Sequence, residues 1–222
     1  MLMMQTIAAI WEKYGYVYMQ GVWGTIYIAV LTVLLGTVLG TLLAFLRLLP
    51  SRILQNVIRL YVWILRGTPA LLQIYFFYFF VPKYLPFDMS ERACIMMALV
   101  VNASAYVEEI IRAGIQAVDR GQTEAARSLG MTARHTMTRI ILPQAIKNIL
   151  PALGNEFIVM IKQASLASIF FIVEITSAFK TVQSATFITI PALVISGGLY
   201  LLLTTVLSFF MKLAERRLQI ND

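Results

Sequence analysis

The chain has very few of the residues that form metal centres, disulfides and charged surfaces. Among its 222 residues there is one cysteine, Cys94, and one histidine, His135, so the sequence excludes an internal disulfide and a metal cluster. Charged residues make up only 13% of the chain, against about 25% in an average soluble domain. At this length the shortage of charge excludes a soluble domain with a large core and predicts an integral membrane protein.

Three catalytic or nucleotide-binding patterns are also absent from the sequence. It contains no G-x-x-x-x-G-K-S/T phosphate loop, no G-x-S-x-G nucleophile elbow and no H-E-x-x-H zinc motif. We therefore predict a subunit that is not an enzyme and carries no cofactor or metal ion of its own. The net charge of +7 does not indicate a nucleic acid partner, because the lysines and arginines lie mostly between apolar runs.

Five apolar runs predict an all-α membrane protein with five transmembrane helices. A helix needs about 20 residues to cross a bilayer, and the predicted spans are residues 20–46, 58–81, 91–113, 149–172 and 181–211. Gly36 and Gly40 have the G-x-x-x-G spacing that lets helices approach closely, here within one subunit. Residues 1–13 predict either a short helix at the membrane interface or a frayed terminus.

The basic residues predict how these spans are oriented. Three arginines and no acidic residue lie in the connection 47–59, which the positive-inside rule assigns to the cytoplasm. Basic residues also follow the fifth span. The N-terminus is then outside, the C-terminus is inside, and residues 82–92 and 174–186 form external connections.

Polar side chains inside the predicted spans indicate a hydrated path through the helix bundle. Pro69 predicts a kink in the second span, and Arg66 beside it either snorkels to the interface or faces the bundle interior. Glu109 is expected to pair with Arg112 or with Arg66. The candidates for this path are Arg66, Gln73, Asn102, Glu109, Asn155, Glu156, Lys162, Gln163 and Ser165. For each of them, a structural hydrogen bond or a buried ion pair remains an alternative to ligand contact.

A polar, basic stretch at residues 124–143 interrupts the apolar pattern between the third and fourth spans. Residues 123–129 predict a short helix that Gly130 ends, and Thr132 is placed to cap a second helix running to Leu142. Pro143 marks the next expected boundary. We predict one transmembrane domain over residues 1–222, with a cytoplasmic helix–turn–helix at about 115–145.

The same stretch resembles a known motif at every one of its constant positions. The matching residues are Glu124, Ala125, Ala126, Gly130, Ile140, Leu142 and Pro143, in the spacing E-A-A-x3-G-x9-I-x-L-P. This pattern resembles the EAA motif of the membrane subunits of bacterial ABC importers. Residues 66–69, 105–112 and 154–166 are similar to the polar amino acid branch of that family, although Ala164 stands where threonine is usual.

The resemblance implies a type I ABC importer permease in the bacterial inner membrane. It further implies two ATPase subunits that carry ATP and Mg²⁺, a second permease copy or a close paralogue, and an external solute-binding protein. The EAA residues would couple to the ATPase, or Glu124 would merely cap a helix. The expected ligand is a polar amino acid.

Two alternatives to this function remain at the level of sequence. In the first, the chain is a permease subunit of the same kind of ABC importer, but the solute it transports is not an amino acid. A channel or secondary transporter with a purely structural cytoplasmic loop would also have five spans, and it would work without an ATPase partner. An integral membrane enzyme has no catalytic constellation to support it.

Overall fold

The computed structural model describes residues 2–84 and 89–219, and within them the chain is helical. The α-helices are α1 (Leu2–Arg47), α2 (Arg52–Gly67), α3 (Ala70–Tyr84), α4 (Glu91–Gln116), α5 (Arg120–Ser128), α6 (Ala133–Thr136), α7 (Leu142–Gln163), α8 (Ile175–Thr186) and α9 (Thr189–Gln219). A π-helical turn, Met137–Ile141, joins α6 to α7, and a 3-10 helix, Ala164–Phe170, follows α7. Residues 85–88 of the predicted connection 82–92 lie outside the described residues.

The first helix is longer than a single span. Helix α1 contains 46 residues and is about 69 Å long at 1.5 Å per residue. A separate interfacial helix at residues 1–13 is therefore the wrong prediction, since no proline or turn separates these residues from the apolar run. As predicted, Gly36 and Gly40 allow close packing within the subunit. A Cβ atom at Gly36 would lie 2.7 Å from the Cβ atom of Ala103 on α4.

The predicted second span is two helices with a sharp bend between them. Helices α2 and α3 meet at 109°, so the expected kink in one helix over 58–81 is instead a break. Thr68 is extended, with φ −118° and ψ 148°, and Pro69 follows it. Proline has no N–H to continue the helix and disfavours helical backbone in the residue before it.

The helix after the polar stretch begins earlier than predicted. Pro143 does not interrupt the chain, because it occupies the first turn of α7, where a proline removes no hydrogen bond that the helix needs. The π-helical turn precedes it, and the Leu142 N–H donates to the Met137 carbonyl five residues back. The expected boundary at Pro143 is present within one residue, as a change from π-helical to α-helical backbone and not as a break in the chain. Helix α7 begins at Leu142, before the expected start of the fourth span near residue 149.

The connection over residues 174–186 also forms a helix, α8. Glu174 caps its N-terminus by accepting hydrogen bonds from the Thr176 and Ser177 N–H groups. Phe187 ends it in the left-handed region, with φ 57°. The fifth apolar helix therefore starts at Thr189 and not at residue 181.

By length and composition, three described helices are able to cross a membrane: α1, α4 and α9. Two bent pairs raise the number to as many as five if each pair counts as one span, namely α2 with α3, and residues 133–170 with α8. Helix α4 lies at the centre of the packing, against α1, α2, α3 and α7. Of the three long helices it is the most buried, which explains why it tolerates the most charge.

Candidate functional site

The polar stretch folds into a helix, a glycine turn and a second helix. Asp119 caps α5 by accepting a hydrogen bond from the Gly121 N–H at 2.7 Å. Gly130 ends the helix with φ +81°, and the Met131 N–H donates to the Ala126 carbonyl at 3.1 Å. Thr132 then caps α6, as predicted, by accepting from the His135 N–H at 3.3 Å. A left-handed glycine after a helix reverses the chain without the strain that a side chain would introduce.

The motif residues on α5 divide into an exposed edge and a buried face. Glu124 and Ala125 are exposed, and Leu129 is 84% exposed, while Ala126 is 5% exposed and faces inward. Within the described residues, the Glu124 carboxylate has no hydrogen-bond or ion-pair partner, and Asp119 supplies the helix cap. The alternative that Glu124 caps this helix is therefore wrong.

The C-terminal motif residues anchor this turn to the helix bundle. Ile140 packs against a cluster formed by Val118, Ile141, Ala145 and Ile149. Leu142 lines a small apolar cavity together with Phe45 on α1 and Leu48 just after α1. Pro143 is exposed. Burial of this face joins the helix–turn–helix to α1, α4 and α7, so that the exposed edge is held rigidly. Sequence reasoning missed Ile141, whose apolar side chain was the available signal.

At the Gln116 end of α4, two arginines share one carboxylate. Arg112 Nη2 lies 2.6 Å from Glu109 Oε1, and Arg112 Nε donates to Glu109 Oε2 at 2.8 Å. Arg66 Nη1 lies 3.1 Å from the same Oε1 atom. Both predicted pairings of Glu109 are present together. Glu109 therefore connects α4 to the end of α2, beside the bend.

Sequence reasoning did not identify Glu108, the residue before Glu109, as the buried partner of an arginine. Glu108 is fully buried, and its Oε1 accepts a hydrogen bond from Arg47 Nη1 at 2.7 Å. Arg47 is the last residue of α1, and its side chain is 21% exposed. An acidic residue within an apolar span needs a partner by default, and that was the available signal.

Gln73 and Asn102 hold the bend between α2 and α3. The Gln73 amide nitrogen donates to the Leu65 carbonyl at 2.7 Å and to the Thr68 carbonyl at 3.1 Å. Its oxygen accepts from Asn102 Nδ2 on α4 at 2.8 Å. Gln73 satisfies carbonyl groups that the break would otherwise leave unpaired, and Asn102 holds the Gln73 amide in place, so a structural role accounts for these contacts. The Asn102 Oδ1 atom is buried without a hydrogen-bond partner.

The remaining path candidates lie on α7 and just after it, and within the described residues none of them is hydrogen-bonded or ion-paired to Arg66 or Glu109. Asn155 and Lys162 are exposed, and among the described residues neither side chain has a hydrogen-bond partner. Glu156 and Gln163 each have a buried Oε1 atom without a partner. Ser165 Oγ donates to the Lys162 carbonyl at 2.6 Å. The structure therefore groups the candidates into three separate sets and does not form one site from them.

A second fully buried carboxylate, also absent from the sequence candidates, organises the start of α8. Tyr200 OH on α9 donates to Glu174 Oε2 at 2.6 Å, and the Thr176 N–H donates to the same atom at 2.7 Å. The Ile175 N–H donates to Thr25 Oγ1 on α1 at 3.2 Å. The Glu174 carboxylate therefore joins α8 to α9, while the neighbouring Ile175 N–H joins α8 to α1. No local sequence pattern identifies the contacts with Tyr200 and Thr25, because both residues are distant in sequence.

The chemistry available to these groups is binding, positioning and motion. Among the described residues, no group of three or more histidine, cysteine, aspartate or glutamate side chains is placed to hold a metal ion. The structure instead combines a rigid exposed turn with helices that carry polar side chains. A component of a membrane transport system needs both features, one to receive motion and one to pass a polar solute.

The family comparison agrees with this class of protein. Residues 36–220 match the family model described as the inner membrane component of binding-protein-dependent transport systems. The match covers most of the chain, and the chain belongs to this family.

Individual relatives narrow the comparison to amino acid transport. The arginine transport system permease protein ArtQ of Bacillus subtilis is 35% identical over 92% of this chain and 93% of its own length. The nopaline transport system permease protein NocM of Agrobacterium fabrum is 38% identical over 86% of this chain and 83% of its own length. A solved amino acid ABC transporter, crystallised with histidines, is 40% identical with a TM-score of 0.88, covering 92% of this chain and 95% of its own.

Proposed function

We propose that this chain is the permease subunit of an ABC importer that moves a polar amino acid into the cytoplasm by alternating access. The observation that carries the proposal is the exposed edge of α5, where Glu124 has no partner among the described residues. The chain has no phosphate-binding loop of its own, so a separate ATPase must supply the energy. Relatives that transport arginine and nopaline support an amino acid as the cargo.

The proposed topology has five spans, with the N-terminus outside and the C-terminus inside, in the bacterial cytoplasmic membrane. It counts each bent pair as one span, in agreement with the lengths of the helices. The arginines at the junction of α1 and α2 then lie on the cytoplasmic side, as the positive-inside rule requires. The turn at Gly130 lies on that same side, because α4 returns the chain there. This arrangement corresponds to the type I importer fold.

The proposed assembly contains two permease chains, two ATPase subunits and an external solute-binding protein. The second permease is a copy of this chain or a paralogue. Asn155 and Lys162 support it, because both are exposed on the helix of a span and neither is stable against lipid. A partner subunit or a water-filled path between the two permeases would cover them.

Transport follows from the way the exposed turn is anchored. Movement of a docked ATPase displaces α5. The apolar cluster of Val118, Ile141, Ala145 and Ile149, with Ile140 packed against it, passes that displacement to α4 and α7 as a rigid-body motion. Helix α7 carries Glu156 and Gln163, whose buried Oε1 atoms lack partners and are therefore free to accept from an ammonium group. Arg66 and Glu109 already bind each other, so α7 is the better place for the ligand.

Reversing the charge at Glu124 tests the coupling. In proteoliposomes that contain the whole transporter, we expect Glu124→Lys to lower ATP-dependent amino acid uptake and ATPase binding by about tenfold or more, corresponding to about 1.4 kcal/mol. Glu12→Lys is the matched control, because Glu12 is also exposed but lies on α1, far from the motif in sequence. Normal uptake and normal ATPase binding by Glu124→Lys would show that the coupling assignment is wrong.

The same vesicles distinguish the alternative functions. A channel or secondary transporter would show flux driven by an ion gradient in the absence of ATP and of the ATPase. An importer of another solute by the same machinery would hydrolyse ATP but respond to a different solute-binding protein. Amino acid uptake that requires ATP, the ATPase and the binding protein together contradicts both.

A further inference from the structure

Two neighbouring cavities meet beside the junction of α1 and α2, and arginines line both. One has a volume of about 280 Å³ and is lined by Arg47, Gln55, Arg59, Arg112 and Gln116 together with Glu108. The other has a volume of about 330 Å³ and is lined by Arg47, Arg59, Trp63 and Arg66 together with Glu109. Arg47 and Arg59 belong to both, so the cavities form one continuous feature, here called the basic cleft.

The basic cleft has an excess of positive charge that the protein itself does not neutralise. Four guanidinium groups face two carboxylates, and each carboxylate is in an ion pair: Arg47 with Glu108, and Arg66 and Arg112 with Glu109. Glu108 Oε2 is buried without a hydrogen-bond partner. Arg59 is exposed and, among the described residues, has no hydrogen-bond or ion-pair partner. A guanidinium carries five N–H donors, so Arg47 and Arg66 also retain donors beyond the bonds they make. The cleft is therefore suited to an anion.

The surface beside the cleft is apolar and exposed. Arg52, Arg59 and Arg66 occur at every seventh residue of α2 and so share one face. On the adjoining face, Ile53 is 79% exposed, Val57 58% and Leu60 54%. Trp63, 71% exposed, lies between the arginines in the wall of the second cavity. Tryptophan and arginine beside exposed aliphatic residues are typical of a helix at the boundary between lipid headgroups and acyl chains.

We propose that the basic cleft binds the headgroup of an anionic phospholipid, with Arg59 as the principal contact of the phosphate. The acyl chains then cover Ile53, Val57 and Leu60. The cleft and these side chains lie side by side on α2, so one molecule with both a phosphate and acyl chains contacts both, whereas a free anion contacts the cleft alone. An acidic segment of a soluble protein has no acyl chains to place on the apolar face. A lipid satisfies the charge and the apolar face together. Basic pockets between transmembrane helices bind lipid headgroups by the same physics.

Native mass spectrometry of the delipidated permease–ATPase complex tests this site. Phosphatidylglycerol is titrated into the complex, with zwitterionic phosphatidylcholine as the comparison lipid. We expect tighter binding of phosphatidylglycerol, and we expect Arg59→Gln to raise its half-occupancy concentration about fivefold, the effect of one basic residue near a lipid surface. Arg92→Gln is the matched control, since it removes the same charge from an exposed position at the Glu91 end of α4, whereas the cleft lies at the Gln116 end, and it should change binding less than twofold.

A second readout uses the unaltered complex. The half-occupancy concentration of phosphatidylglycerol should rise with ionic strength, because added salt screens the interaction between phosphate and guanidinium. Equal effects of Arg59→Gln and Arg92→Gln, or affinity that salt does not change, would overturn the proposal. Displacement of the lipid by millimolar inorganic phosphate would identify a free-anion site instead. Binding to the isolated permease but not to the complex would show that the ATPase covers the cleft, and it would also overturn the proposal.

Discussion

Arg47 and Glu108 form an ion pair whose two members differ in their access to water. Glu108 is fully buried, while the Arg47 side chain is 21% exposed. Removal of Arg47 leaves a buried carboxylate without its partner, whereas removal of Glu108 leaves an arginine that still reaches solvent. We therefore predict that Arg47→Met lowers the free energy of unfolding by about 3 kcal/mol and Glu108→Gln by only about 1 kcal/mol.

Thermal unfolding of the purified transporter in detergent measures this asymmetry. The double variant, Arg47→Met with Glu108→Gln, should be more stable than Arg47→Met alone, because no buried charge remains. Equal losses from the two single variants would show that the pair is hydrated equally on both sides. Glu215→Gln, at a half-exposed position on α9, serves as a control for the loss of a carboxylate without a buried partner.

Gly130 is required for its backbone conformation and not for lack of space. A Cβ atom there would meet nothing within 4 Å, but its φ of +81° is strained for any other residue. We predict that Gly130→Ala costs about 1–2 kcal/mol locally and lowers uptake through a displaced turn. Gly197→Ala on α9, also without a neighbour within 4 Å but with no left-handed φ, should leave uptake unchanged. Normal uptake by Gly130→Ala would mean that the turn tolerates another geometry.

At the scale of helices, α1 and the start of α8 approach so closely that only glycine fits between them. A Cβ atom at Gly24 would overlap the Val173 carbonyl oxygen, and one at Gly21 would lie 2.9 Å from the Glu174 carbonyl oxygen. We predict that Gly24→Ala destabilises the protein by about 3 kcal/mol, because backbone cannot move aside as a flexible side chain does. Hydrogen exchange should become faster over residues 174–178, where Glu174 caps α8.

Gly15→Ala, on the same helix, separates this clash from a general effect of the substitution. Its Cβ would lie 3.5 Å from the Trp11 ring, which is ordinary contact, and alanine favours a helix by up to about 1 kcal/mol. This variant should be as stable as the unaltered protein or more stable. If both variants behave alike, the close approach of α1 to α8 is not needed for stability.

For the whole molecule, the exposed polar face of α7 is expected to line water or a partner subunit. In a Cys94→Ala background, we predict that Asn155→Cys reacts with a hydrophilic thiol reagent in the assembled transporter, at a rate that changes when nucleotide binds. Leu202→Cys is the control, because Leu202 is 59% exposed on the apolar helix α9 and should lie in lipid, where a thiol does not ionise. Equally slow labelling of both positions would contradict a polar path along α7.

Local features of the chain were enough to predict several elements closely. Helix α4, predicted over 91–113, extends from Glu91 to Gln116, because its apolar run and polar ends are contiguous in sequence. The glycine turn and the Thr132 cap depend on a few neighbouring residues. The Glu109–Arg112 contact follows from helical spacing alone.

Other features depend on contacts between distant segments. The bend at Pro69 was predicted, but its size of 109° reflects the packing of α3 on α4 and the contacts of Gln73. Glu108 lies 61 residues from Arg47, and a charge pattern does not select one arginine among several at that separation. The ligand path was predicted from polar residues alone. In the structure these residues fall into three sets, because Arg66 binds Glu109 and Gln73 binds Asn102.

The sequence by itself determined that this protein is helical, apolar and interrupted by a rigid polar turn with the EAA motif. Those properties arise from residue chemistry and from spacing within one helix or turn. Only the tertiary structure decided which charges are neutralised and which remain available, because that depends on how α1, α2, α4 and α7 pack together. Glu109 is satisfied by two arginines, whereas Arg59 and Lys162 have no partner among the described residues.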